Sequence, residues 1–217
     1  MDDELAFAVC RQRPRGGSPV TKRDLTRLVV DFSSSVEQAG GRCVFMGAVA
    51  LPVWGRPRAT ADADALLLLS ETKFEAFAEI LAGIGLLTTP ADLRDAYEER
   101  SHVTFVDQRG PFHVDGKFAR SPAELSEVES AKRIELPEGT FYVTAVEETI
   151  AFKLSYGSAQ DLEDVRGILA ISGDQIDPAR LGPILADLGV TQVYRQLQEE
   201  IARRGAEKVQ KQRKGGE

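Results

Sequence analysis

Asp62 and Asp64 stand two residues apart at the start of Ala61–Leu69, which reads ADADALLLL. Alternate residues of a β-strand share a face, and a rise of ~3.3 Å per residue puts these two Cα atoms roughly 7 Å apart. Carboxylates so placed can converge on divalent ions, which in a two-metal site sit about 3.5–4 Å from each other. Upstream lies Gly47-Ala48, separated from Asp62 by thirteen residues. A glycine turn between a strand and a helix lets backbone amides approach a phosphate and aims the helix N-terminus at it. A third acid from another strand would complete a cage. Asp115 is the natural candidate, sharing its strand face with His113 and Lys117. Asp107 competes, but it abuts a turn and faces with Val103 and Phe105.

Crowded carboxylates raise one another's pKa unless a cation neutralises them. An all-oxygen donor set favours Mg²⁺ or Mn²⁺ over zinc. Such ions would bridge an NTP's triphosphate, polarise the α-phosphate and activate an attacking hydroxyl. Asp62, Asp64 and Asp115 are therefore the expected metal-ligating and catalytic residues.

Further residues have two readings each. Arg56 and Arg58 flank Pro57 just before the acidic strand, as phosphate contacts or as ordinary surface arginines. Thr60 orients Asp62 by a hydrogen bond or merely suits a strand start. Lys153 lies in an apolar helical run with Ile150, Ala151, Phe152 and Leu154. It either snorkels from a core helix or offers a point charge to a triphosphate. Asp161 caps its helix, and with Asp164 at i,i+3 it is placed to orient Lys153. His113 is set aside as an ordinary half-exposed histidine rather than a base.

The elements that must position these groups follow from pattern. Thr21 is read as a cap, with Asp24 at the N3 position, for a helix in which Leu25, Leu28, Val29 and Phe32 recur at helical spacing. Gly40 and Gly41 stop it. Arg42–Met46 reads as a short buried strand, and Gly47 turns into a short helix, Ala48–Trp54. Ala61–Leu69 is apolar on both faces in its distal half, as in a central strand, so its acids sit at a sheet end. A helix is expected from Glu71 to about Gly83, then an irregular stretch through Pro90. Two hairpins follow: His102–Asp107 with Phe112–Phe118, and Arg133–Leu136 with Thr140–Thr144. From Val146 the pattern is helical throughout, roughly 146–157, 161–172, 178–188 and 191–212. The expected fold is α+β: a small mixed sheet with flanking helices over 20–145, then an all-helical C-terminal domain over 146–217.

With 42% hydrophobic and 28% charged residues in a chain of 217, a sizeable core is available and wholesale disorder is excluded. A net charge of −7 argues against a surface given over to nucleic acid. The tail from Arg203 to Lys214 carries six basic residues, a solvated helix end or an electrostatic handle for RNA. Residues Arg11–Pro19, rich in basic side chains, Gly and Pro, read as a flexible lead-in. Cys10 and Cys43 form neither a disulfide framework nor a zinc motif, which points to a reducing compartment. The acidic start, Met1-Asp2-Asp3-Glu4, lacks a signal peptide's positive charge, and the longest apolar run is too short for a bilayer. The expectation is a cytoplasmic protein without membrane association.

Met46-Gly47-Ala48 followed after thirteen residues by Asp62-Ala63-Asp64 resembles the signature of the nucleotidyltransferase superfamily of DNA polymerase β-like fold. That signature is a hydrophobic residue, Gly-Gly or Gly-Ser, a spacer of nine to thirteen residues, and Asp-x-Asp or Asp-x-Glu. The stretch from Gly55 to Asp64 is similar to the G-x-x-R-x-T-x-D-x-D motif of the bacterial AbiEii-like branch, which includes toxins of type IV toxin–antitoxin systems. Lys153 and Asp161-Leu162-Glu163-Asp164 resemble that branch's later Lys and Asp-x-x-Asp motifs, so the likeness spans about residues 42–170. It implies a nucleotidyltransferase domain, a transferred nucleoside monophosphate, nucleotide contacts from Gly47, Ala48, Arg58, Thr60, Lys153 and Asp161, and tRNA or a protein as acceptor, with an antitoxin partner. Ala48 departs from the pattern: it stands where the family has Gly or Ser, so a serine hydroxyl contact to phosphate is missing. A small-molecule (antibiotic-type) acceptor and a weakly catalytic nucleotide- or partner-binding module are the rival readings.

Overall fold

The computed structural model describes residues 23–214, with side chains to residue 204. Cys10, the acidic start, the Arg11–Pro19 segment and the expected cap at Thr21 lie outside the described residues. The first helix, α1 (Leu25–Gln38), is capped instead by Asp24, whose side chain accepts a hydrogen bond from the Arg27 amide at 2.8 Å. The correction has a simple cause: an N-cap carboxylate must sit one residue before the helical φ/ψ begins, and that residue is Asp24.

The described residues divide into two compact units between Ala145 and Val146. In the first, β1 (Arg42–Phe45) leads through a 3₁₀ turn at Gly47–Val49 into α2 (Leu51–Trp54) and then β2 (Asp62–Leu68). There follow α3 (Phe74–Gly83), β3 (Leu86–Leu87), α4 (Pro90–Glu99), β4 (His102–Asp107), β5 (His113–Phe118), α5 (Pro122–Ser130), β6 (Lys132–Leu136) and β7 (Gly139–Val143). The seven strands form one mixed sheet in the order β3-β4-β5-β2-β1-β7-β6. The fold is α+β, and β2 is central, as its doubly apolar distal half requires.

Two helices stand where the pattern assigns no element. Both α4 and α5 begin with Pro in the first turn behind a reciprocal capping box, Thr89 with Asp92 and Ser121 with Glu124. The boxes satisfy amides that a short helix leaves orphaned, which supports helices of only nine or ten residues here. The stretch expected to be irregular through Pro90 also contains β3, a two-residue edge strand paired with β4.

One sheet face is fully covered. Phe32 of α1 packs its ring against Phe45, Phe77 and Phe105, with centroids 4.9–6.1 Å apart. Each fully buried aromatic of this kind stabilises by about 1.5–3 kcal/mol relative to exposure. Asp107 belongs to this face: its side chain is buried against the guanidinium of Arg23, which also donates to the Ile84 carbonyl. That pairing removes it from competition as a ligand on the opposite face. Cys43 is a free buried thiol there, and burial pushes its pKa up to about 12, which leaves it inert. The opposite face is covered only in part, where Val128 of α5 and Ala119 pack on Val44 and Leu66. Its other end, holding the first residues of β2, stays open to water.

The second unit contains α6 (Val146–Tyr156), α7 (Ala159–Ser172), α8 (Pro178–Asp187) and α9 (Thr191–Lys214). Glu147 at the start of α6 accepts from the Asp177 amide, and Glu148 pairs with Arg180, which ties α8 to α6. Among the described residues no helix is long and apolar enough to cross a membrane.

Candidate functional site

Strand pairing decides which acids meet. β2 and β5 run parallel with Asp62 opposite His113, Asp64 opposite Asp115 and Leu66 opposite Lys117. Directly opposed residues share a face, so Asp62, Asp64 and Asp115 all rise from the open end of the same surface. β1 runs antiparallel to β2, so the end of β1 lies beside the start of β2. The Met46 amide donates to the Asp64 carbonyl at 3.0 Å, which delivers Gly47 onto Asp64.

Gly47 has φ +61, and a Cβ there would lie 2.6 Å from Asp64 Oδ2. The position therefore needs glycine twice: for the left-handed backbone and for the carboxylate lying against it. Ala48, in the same 3₁₀ turn, is buried. The helix behind the turn is the single turn of α2.

Asp64's carboxyl is held above its ordinary range, first by burial, then by the charges of Asp115 and Asp62, with His102 and His113 acting the other way. No hydrogen bond or ion pair reaches that carboxylate among the described residues. Asp115 is better supported. The hydroxyl of Thr104, its partner across β4 and β5, donates to Asp115 Oδ1 at 2.6 Å. His113 Nε2 stands 3.4 Å from Asp115 Oδ2 and 3.6 Å from Asp62 Oδ1. Lys117 turns away to Glu124 on α5 at 2.7 Å. As placed, no trio of His, Cys, Asp or Glu among the described residues forms a ready metal cage. The donor chemistry nevertheless suits a hard divalent cation: three carboxylates on one face, one of them repelled by the others and accepting no hydrogen bond.

Thr60 holds the backbone of Asp62, donating to its carbonyl at 3.1 Å and accepting from its amide at 3.3 Å. Arg56 is exposed and Arg58 half-buried in the lead to β2. Thr104 is the member of the site that the sequence leaves unmarked, whereas His113, placed on the face of Asp115 by alternation, is set aside as a base. Alternation along the β4–β5 hairpin, carried across its register, is the signal that would have found Thr104.

Lys153 and Asp161 belong to the second unit. Lys153 is buried, and its Nζ donates to Asp164 Oδ2 at 2.6 Å and Asp161 Oδ1 at 3.4 Å. It does not snorkel; its head is enclosed by carboxylates. The α7 cap is Ser158, with Asp161 at N3 completing a capping box, which corrects the reading of Asp161 as the cap itself. Partial burial opposes ionisation of Asp161, but the Ser158 hydroxyl and Lys153 hold its pKa below the ordinary value. Lys153→Met removes the cation that donates to the buried Asp164 carboxylate and should destabilise this unit by up to about 3–5 kcal/mol. Thermal melts followed by circular dichroism check this; an unchanged melting temperature in Lys153→Met would contradict it.

A cavity of about 580 Å³ opens where α4 meets β3 and β4. Asp92, Asp95 and Glu99 line it together with Thr88, Thr89, Ser101, His102 and Thr104, and among the described residues no Lys or Arg does. Thr104 thus connects this acidic cavity to Asp115.

No protein-family model matches the chain, and no curated protein does. Among solved structures it is similar to an antigenic nucleotidyltransferase-like protein from Paracoccidioides brasiliensis, at 15% identity and TM-score 0.48, over 81% of this chain and 91% of that one. It is also similar to the antibiotic-resistance factor ANT(2'')-Ia in solution, at 15% identity and TM-score 0.45, over 81% of this chain and 95% of that one. The crystal structure of ANT(2'')-Ia in complex with adenylyl-2''-tobramycin matches at 15% identity and TM-score 0.45, over 73% and 92%.

Proposed function

We propose that the chain is a nucleotidyltransferase that moves a nucleoside monophosphate from an NTP to a hydroxyl acceptor, using Mg²⁺ or Mn²⁺ held by Asp62, Asp64 and Asp115. The observation that carries this reading is the register of β2 against β5, which gathers three carboxylates beside the Gly47 turn at an open sheet end. A bound divalent cation would neutralise the triphosphate and lower the cost of charge developing at the α-phosphorus. The chain's own part is positioning. Gly47 and Ala48 admit phosphate to backbone, and Thr60 fixes the backbone of Asp62. Asp115, oriented by Thr104, takes the proton of the acceptor hydroxyl as its oxygen bonds to the α-phosphorus; the bond to the β-phosphate breaks and pyrophosphate leaves. Arg58, in the lead to β2, is a proposed nucleotide contact on the strength of the motif resemblance.

Two acceptor classes follow from different observations. The resemblance to the AbiEii-like branch points to tRNA or a protein side chain, with a toxin role and an antitoxin partner. The cavity beside Thr104 favours a small hydroxylated amine: its three acids would repel RNA phosphates and attract a cation. Incubation of the purified chain with α-³²P-labelled NTPs, Mg²⁺, and in turn total RNA, lysate protein or hydroxylated polyamines separates the two. Label in RNA or protein supports the first, label in the small amine the second, and label in none of them counts against nucleotidyl transfer.

A further inference from the structure

His113 does not behave as a bystander on β5. It is in register with Asp62 and two residues before Asp115, so its imidazole projects between two of the three acids. Its Nε2 lies 3.6 Å from Asp62 Oδ1 and 3.4 Å from Asp115 Oδ2. Both separations are longer than the roughly 2.7–3.2 Å of a good N–H···O hydrogen bond. Each separation taken singly is that of two donors about 2.0–2.2 Å from a shared ion, which sit roughly 3.0–3.6 Å apart depending on the angle between them. As placed the three side chains do not close round one ion, so ligation requires the carboxylates to rotate toward it.

We propose that His113 is a nitrogen ligand of this site, sharing a divalent cation with Asp62 and Asp115, and that it shifts the metal preference from Mg²⁺ toward first-row transition ions. The proposal rests on the carboxylate metal site of the preceding section and adds to it a donor of different chemistry. Carboxylates and water suit Mg²⁺ and Mn²⁺, whereas imidazole adds affinity that rises along the series from Mn²⁺ to Co²⁺ and Ni²⁺. Solvent reaches Asp62 and Asp115, so their carboxylates have room to close on an ion by side-chain rotation. Asp64, lying against Gly47, remains on the side where a nucleotide's phosphates would enter.

The test is direct metal binding to the full-length chain. Mn²⁺ is added alone and then with a non-hydrolysable ATP analogue, and electron spin echo modulation is recorded for coupling to imidazole ¹⁴N. The expected result is ¹⁴N coupling in the wild type and in His102→Asn, and its loss in His113→Asn. Co²⁺ affinity of His113→Asn should fall by at least about tenfold, since even outer-shell partners of a metal site are worth roughly ten- to a hundredfold, with Mg²⁺ affinity changing far less. Mn²⁺ bound by the wild type without ¹⁴N coupling overturns the assignment of His113 and leaves the carboxylate site standing. Coupling that persists in His113→Asn and vanishes in His102→Asn overturns it too. If the wild type binds no Mn²⁺ under either condition, the carboxylate site and the His113 ligand fall together.

Discussion

Asp64→Asn should abolish nucleotidyl transfer and at the same time raise the melting temperature of the metal-free protein. Both effects have one source. The carboxylate lies in a partly enclosed position between Asp115 and Asp62, with no hydrogen-bond donor among the described residues, and its pKa is raised for those reasons. A carboxyl whose folded pKa exceeds its unfolded value is destabilising while ionised. The penalty sets in as pH rises from the unfolded value through the folded one, and is full above that. The stability gain of Asp64→Asn should therefore be largest at neutral pH and shrink as pH falls toward the ordinary carboxylate range. Wild type should recover the penalty when a cation and NTP bind, since ligand at a hundred times its Kd adds about 2.7 kcal/mol of stability. The Asp62→Ala/Asp64→Ala double variant should show no such gain, and transfer should drop by roughly a hundred- to a thousandfold or more, as when a group stabilising transition-state charge is lost. Equal stabilisation of the double variant and the wild type by metal plus NTP would sink the assignment.

Gly47→Val is the second large effect. The backbone there is left-handed, a region costing a residue with a Cβ about 1–2 kcal/mol and a β-branched residue more. The new side chain would also occupy the place of Asp64 Oδ2, only 2.6 Å from where its Cβ must go. The carboxylate must then swing away or the turn must open, and either movement spoils phosphate approach and metal ligation together. NTP affinity measured by calorimetry should fall by at least about tenfold, on the scale of the ~1.4 kcal/mol that corresponds to that factor. Ala48→Ser, one residue on and in ordinary helical backbone, should hold or increase activity by adding a hydroxyl near phosphate. Gly47→Val with undiminished NTP affinity would remove the turn from the site.

The sequence by itself determined what depends on near neighbours. Alternation along ADADALLLL put Asp62 and Asp64 on one face and marked β2 as central, because side-chain direction in a strand has a period of two. The two hairpins and the helices after Val146 were legible for the same local reason, and Asp107 could be set on the face away from Asp115. The capping boxes of α4 and α5 were also written in the chain, as Thr89-Pro90 before Asp92 and Ser121-Pro122 before Glu124, but helices this short offer few turns of periodicity to read. Tertiary structure alone decided which strands lie side by side. Asp115 meets Asp64, His113 meets Asp62, and Gly47 meets Asp64 only because β2 runs parallel to β5 and antiparallel to β1. Those pairings join residues 17 to 51 positions apart, and no local propensity encodes them. A slip of one residue between β2 and β5 would carry the acids of one strand to the other face; what forbids it is the packing of Ala63, Leu67, Val114 and Phe118 into the core beneath.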